Sequence, residues 1–433
     1  MTHDAEMPVL GLVFSSFKMG GLERIVAHLA AMFRDMGFRV VLLSALPPEE
    51  DFYPSPEGCT RVCVGGWKTP EDAARRQAAI KEAIEKHGIG VLFIHSYFGM
   101  YLSDELAVAR AAGVKTVVHV HSSVPGLFVR KGWRIDIASQ VCAFRSADSV
   151  IAVSRADQLL LRMLGVKARY LPNPVFEVPG GFRPVGRSGR SIVWIGRLVS
   201  SVKRPVDALR IFERVHERMP DATLTMLGDG VSAKDVHQFL GERPTLAGSV
   251  RLTGAVRDVW PELAKADLML LTSAMEGFPG CVAEAYAAGV PVVGYALDAV
   301  ELCRNREAYH AVPQESVEDA AQAAVSLLSD PERLRSASSA ARAEFERFKS
   351  VDQESAYREL VADVAAGRDG GTAGEMDPRC RDVVATLFSY SCQADRMHKA
   401  EVDALKKRLV ARPSSVRECV RFVFARLFGS KSK

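Results

Sequence analysis

Short apolar runs alternate with amphipathic stretches along most of the chain, and the alternation occurs in two successive series. Apolar runs of four to eight residues, bounded by polar or glycine-containing segments, read as buried strands, whereas apolar residues three and four apart read as helices. In the first series, residues 8–14 predict a strand, 22–37 a helix closed by Gly37, and 38–46 the next strand. Residues 91–95, 116–121, 149–154 and 168–173 continue it. The glycine-rich polar stretch 180–189 reads as a linker.

The second series opens with a strand at 192–195 and a helix at 205–219, with Pro205 acceptable in the first turn. Strands at 223–227, 250–253, 268–272 and 290–295 and helices at 233–240, 259–266 and 280–288 follow. After Pro313 the pattern is purely helical, at 316–328, 331–347 and 351–365. Strand and helix in alternation predict parallel sheets covered by helices. The expected architecture is therefore α/β: two open, Rossmann-like domains facing each other across a cleft, with a helical C-terminal extension. The expected boundaries are 1–178, 179–350, a crossover helix at 351–366, and a linker and basic helical tail at 367–433.

With 433 residues the chain is too long for one core, in keeping with two domains. Lys and Arg number 56 against 52 Asp and Glu, so the net charge of +4 carries no global nucleic-acid signature. Residues 1–8 lack the basic and long apolar regions of a signal peptide, and no run of about 18 apolar residues predicts a membrane span. The expected location is the cytoplasm. Eight cysteines are scattered without a CxxC or a nearby histidine spacing, which predicts free thiols and no zinc site. Cys281 reads as a small apolar residue rather than a nucleophile.

Ligands of open α/β domains bind beyond the carboxyl ends of strands, and four groups of residues fall at such ends. Gly20 and Gly21 follow the first strand, where backbone can approach a ligand before the helix begins; G-x-G-x-x-G is absent. Taken alone, such a pair marks a turn. His119 and His121 end a buried strand two residues apart, so both rings point to one side, with His121 nearer the pocket. His95 ends the preceding strand. Arg197 and Lys203 follow the first strand of the second series, in reach of a diphosphate.

The fourth group is the stretch from Glu276 through Gly277, Phe278, Pro279, Gly280 and Cys281 to Glu284, lying between two apolar runs. A helix beginning there offers unpaired N–H groups and a positive dipole end to phosphate, and Glu284, about one turn in, is placed to accept from sugar hydroxyls. One segment is thus equipped for a sugar nucleotide.

These motifs, in this order, resemble the retaining nucleotide-sugar glycosyltransferases of family four, over roughly residues 8–365. Those carrying the likeness are Gly20-Gly21-Leu22-Glu23-Arg24, Gly196-Arg197 with Lys203, Gly228-Asp229-Gly230, and Glu276 to Glu284, the E-x7-E signature. The resemblance implies the two-domain GT-B fold, with Arg197 and Lys203 on the donor diphosphate and Glu284 on the ribose. It implies Glu276 and the backbone of 278–281 on donor sugar and phosphates, His121 near the transferred sugar, and no metal. Asp298 and Ala299 stand where the family commonly has a glycine pair.

The implied activity is retaining transfer of a sugar from a nucleoside-diphosphate sugar to a glycan or lipid-linked acceptor in cell-surface polysaccharide or glycolipid synthesis. A nucleotide-sugar epimerase on the same architecture and a non-catalytic binding protein are the alternatives. Loops at 46–69 and 125–134 are expected to choose the acceptor. In the tail, Val416, Val420, Val423, Phe424 and Leu427 form a helical apolar stripe beside Arg417, Arg421 and Arg426. That pattern suits either docking on protein or in-plane attachment of residues 412–433 to an anionic membrane, which would make the enzyme peripheral on the inner face of the cell membrane.

Overall fold

The computed structural model describes residues 7–95, 101–126, 137–184, 189–297 and 299–368. Every described residue lies in one compact unit. The spacer, the 376–410 segment, the 412–433 tail, Asp298 and most of the 125–134 loop lie outside the described residues.

Seven parallel strands form the first sheet in the order β3-β2-β1-β4-β5-β6-β7. They are β1 (Val9–Phe14), β2 (Val40–Ser44), β3 (Thr60–Cys63), β4 (Ile89–Ile94), β5 (Lys115–Val120), β6 (Ser149–Ala152) and β7 (Ala168–Tyr170). The second sheet is also parallel, in the order β10-β9-β8-β11-β12-β13. Its members are β8 (Ser191–Ile195), β9 (Thr223–Leu227), β10 (Val250–Gly254), β11 (Leu268–Leu271), β12 (Val292–Tyr295) and β13 (Tyr309–Val312). Helices cover both faces, so central strands such as β1 and β11 are buried at every residue and show as unbroken apolar runs.

Several elements depart from the pattern reading. β3 falls inside the 46–69 stretch expected to be a loop, and β13 was not expected; both are edge strands. An edge is covered on one side only, and all four β3 residues keep some exposure, so no apolar run marks it. The expected strand at 168–173 stops at Tyr170, since Pro172 has no N–H to extend the ladder. The helix expected at 259–266 shrinks to Trp260–Leu263.

The last two helices part company. Pro331–Lys349 packs Ala341, Phe345 and Phe348 into the core of the second sheet. Gln353–Ala365, capped by Asp352, packs Tyr357, Leu360, Val361 and Val364 against Leu10, Phe33 and Phe93 of the first.

In each sheet the strand order reverses once: between β1 and β4 in the first, and between β8 and β11 in the second. Crevices outside the carboxyl ends of strands at such switch points are where open α/β sheets bind ligands.

Candidate functional site

Three of the four groups of candidate residues leave these switch points, and the other, His119 and His121, ends β5 next to β4. Gly20 and Gly21 follow β1, His95 ends β4, Arg197 and Lys203 follow β8, and Glu276 and Glu284 follow β11. A web of contacts joins them. Lys203 Nζ donates to Glu276 Oε1 in a largely buried ion pair. Burial pulls the Lys203 ammonium down, but Glu276 more than offsets it and holds the pKa above its ordinary value. Arg197 faces Lys203 and also the carboxylate of Glu23, whose pKa burial raises against the pull of its own backbone N–H and Arg197.

Glu284 is buried in the helix Gly280–Ala287, and its Oε1 accepts from Nη1 of Arg24, which lies three residues beyond Gly21 on the opposite domain. Two ion pairs thus stand in the site, Arg24 with Glu284 and Lys203 with Glu276, and the exposed Arg197 lies within electrostatic reach of Lys203 and Glu23. Gly20 sits directly under the Glu23 carboxylate, 2.1 Å from where a Cβ would stand, while a Cβ on Gly21 or Gly280 would meet open space. Phe278 turns its ring onto Phe348, 5.6 Å between centroids.

Sequence reading missed the supports. Thr272, one residue beyond β11, donates its hydroxyl toward the carbonyls of Lys203 (2.8 Å) and Arg204 (3.0 Å) and accepts from Trp194 Nε1–H at 3.0 Å. With Ala274 N–H on Val202 O at 2.7 Å, these bonds tie the cationic loop to the glutamate segment. A buried threonine ending an apolar run carries no signal by itself. Glycine explains Gly228-Asp229-Gly230: both glycines have φ in the region closed to side chains (138° and 158°), and a Cβ on Gly228 would lie 1.9 Å from Gly196 O.

The histidines depart from expectation. His119 is wholly buried and stacks on His121, with centroids 3.8 Å apart. His121 Nδ1–H donates to Asn173 Oδ1 at 3.1 Å, because an amide oxygen only accepts; its Nε2 then accepts from His95 Nδ1–H at 2.9 Å. Burial drops the His121 pKa to about 3 against the opposing bond from Asn173, so the ring is neutral. The expected presentation of this imidazole to the pocket is therefore corrected. Its ring nitrogens bond inward, and its backbone carbonyl meets the second domain, 2.6 Å from where a Cβ on Gly277 would stand.

The three rings bring nitrogens within 4.8 Å of one another, close enough to raise a metal reading. Planes only 30° apart in the stacked pair, however, send the in-plane lone pairs side by side instead of toward one ion. His95, His121 and Asn173 form a hydrogen-bond chain, and His119 stacks on it with neither ring nitrogen hydrogen-bonded among the described residues. Cys281 is also chemically quiet, its thiol pushed up to about 12 by burial.

Residues 19–176 match the family model Glycosyltransferase Family 4, and residues 189–330 match Glycosyl transferases group 1. The chain is of the glycosyltransferase family 4 type. An exopolysaccharide phosphotransferase from Streptomyces coelicolor is 33% identical over 273 residues, 60% of this chain and 28% of that protein. A phosphatidyl-myo-inositol mannosyltransferase from Mycobacterium tuberculosis is 31% identical over 38% of this chain and 44% of its own length. The chain therefore spans less than half the length of these two curated relatives. Among solved structures, the Anabaena protein HepE in complex with UDP and glucose superposes with a TM-score of 0.65 at 17% identity, covering 82% of this chain and 99% of HepE. Sucrose-phosphate synthase from Thermosynechococcus elongatus gives 0.67 at 17% identity, covering 82% and 99%. The shared architecture of this type is GT-B, two Rossmann-like domains. Among the described residues, no helix is long and apolar enough to cross a membrane.

Proposed function

We propose that the protein transfers a sugar from a nucleoside-diphosphate sugar to a glycan or lipid-linked acceptor, with retention, in the synthesis of surface polysaccharide or glycolipid. The observation that carries this reading is the convergence of Arg197, Lys203, Glu276, Glu284 and the Gly20–Gly21 turn where two switch points meet. Arg24 and Lys203 are each paired with a carboxylate of the protein itself. A donor diphosphate takes Arg197 and Lys203, its ribose takes Glu284, and its sugar lies against Glu276 and the backbone of 278–281.

The acceptor hydroxyl attacks the anomeric carbon as the bond to the phosphate oxygen breaks, and its proton passes to that departing oxygen on the same face. Arg197 and Lys203 stabilise the charge that collects on the leaving diphosphate. Glu276, paired to Lys203, orients the donor rather than attacking it as a hydrolase carboxylate would. His121, neutral and bonded inward, shapes the sugar subsite through its backbone. The relatives bearing phosphotransferase and mannosyltransferase names favour surface-polymer or lipid-linked acceptors, and the UDP complex of HepE favours a nucleoside diphosphate. We further propose a cytoplasmic enzyme held at the inner membrane face by residues 412–433.

A thermal-shift screen of UDP, GDP, ADP and their sugars tests the central claim, since a ligand of the folded state raises its apparent stability. One nucleotide family raises the melting temperature; no response to any of them overturns the reading. Alanine at Arg197 or Lys203 removes a charged hydrogen bond of about 1.5–3 kcal/mol, which lowers turnover at least about tenfold.

A further inference from the structure

Resting on the nucleotide-sugar reading, we infer that Arg24 is a positioning residue for the donor: it holds Glu284 in place from across the cleft, so that ribose is bound by an acid on one domain oriented by a base on the other. Arg24 engages Glu284 Oε1, and among the described residues no hydrogen bond reaches Oε2, leaving that oxygen to the ribose hydroxyls. The guanidinium is itself fixed, stacked 4.5 Å over the ring of Phe176, which in turn meets His28 edge-on at 5.4 Å. Its side chain is 27% exposed against 5% for Glu284, so the pair stands at the edge of the cleft with the carboxylate inside.

The position matters because Glu284 is a carboxylate in a nearly dry site. Burial raises its pKa and Asp258 adds like charge, while Arg24 pulls the other way; Tyr53 and Cys281, the other titratable groups facing it, stay neutral because burial raises both. Hydroxyl donors bind an ionised carboxylate about twice as strongly as a neutral partner. Arg24 therefore opposes the effect of burial on Glu284 and aims its carboxylate. Because Arg24 rides on the helix Gly21–Asp35 of the first domain and Glu284 on the second, the same contact ties ribose binding to the approach of the two domains.

Calorimetric titration of the full chain with UDP, GDP and ADP, and then with the 2′,3′-dideoxy form of whichever binds, tests the inference at pH 6 and pH 8. The R24Q variant is expected to bind the ribose nucleotide at least about tenfold more weakly at pH 6 and less so at pH 8, since an unopposed Glu284 takes up a proton as pH falls. The dideoxy nucleotide, lacking the hydroxyls, binds wild type and R24Q alike. R24K restores part of the loss and serves as the variant if R24Q does not fold. In E284Q the ribose preference is gone, and adding R24Q costs nothing more. Equal binding by wild type and R24Q overturns the inference, as does an equal loss for ribose and dideoxy forms. If wild type binds none of the three nucleotides, the functional reading fails, and this inference with it.

Discussion

Replacing Gly277 with alanine should open the cleft without unfolding either domain. The added Cβ would lie 2.6 Å from His121 O and 2.8 Å from Ser122 C and Cα, all backbone atoms of the opposite domain. Reaching ordinary contact of 3.4 Å requires the two domains to part by roughly 0.8 Å, in the range where misplacement of reacting groups costs up to about a hundredfold in rate. Overpacking of this kind is typically worth about 1–3 kcal/mol, which corresponds to about 5- to 150-fold in binding or turnover. The strain is relieved by domain separation, so each core keeps its packing. Nucleoside diphosphate release from the donor should fall by that factor in G277A, while the melting temperature without ligand moves little. Gly241→Ala, at the end of the helix Ala233–Gly241 and outside the site, is the matched control, because a Cβ there meets nothing within 4 Å. Wild-type turnover in G277A, or an equal loss in G241A, refutes the steric account of this contact.

Two further expectations concern stability. Asp157 is buried against Ser154 and the Val124 N–H, and burial raises its pKa to about 7, with those hydrogen bonds opposing and Glu301 adding to the rise. A folded pKa above the unfolded value of about 3.9 means that stability from this group is full below pH 4 and lost as pH rises toward 7. Denaturant titrations of D157N should therefore gain on wild type between pH 5 and pH 8, and a pH-independent difference would contradict this. Tyr357 carries a fully buried hydroxyl without a hydrogen-bond partner among the described residues. Y357F should thus be more stable by about 1 kcal/mol, the lower end of the cost of an unsatisfied buried group, as read by chemical denaturation. A destabilised Y357F would show that the hydroxyl is satisfied.

The sequence determined what repetition and local chemistry can carry. Buried parallel strands write themselves as apolar runs, so central strands such as β1, β4, β8 and β11 were legible, as was the α/β class. Edge strands β3 and β13 were not: their half-exposed residues leave no such run, although edge strand β10, no less exposed, was read at 250–253. The residue types at strand ends pointed to a phosphate and sugar site because glycine, cation and carboxylate each do one thing well there.

Tertiary structure decided how those residues are partnered. No spacing in the sequence pairs Arg24 with Glu284, 260 positions away, or brings Gly277 under the backbone of His121. Alternation put His119 and His121 on one side of a strand but said nothing of Asn173 or His95, and those two bonds turn the His121 ring inward. Partnership of this kind depends on strand order, which rests on long-range packing and leaves no mark in the local pattern. The sequence thus supplied the chemical groups, and the folding of two sheets around facing switch points decided which of them meet.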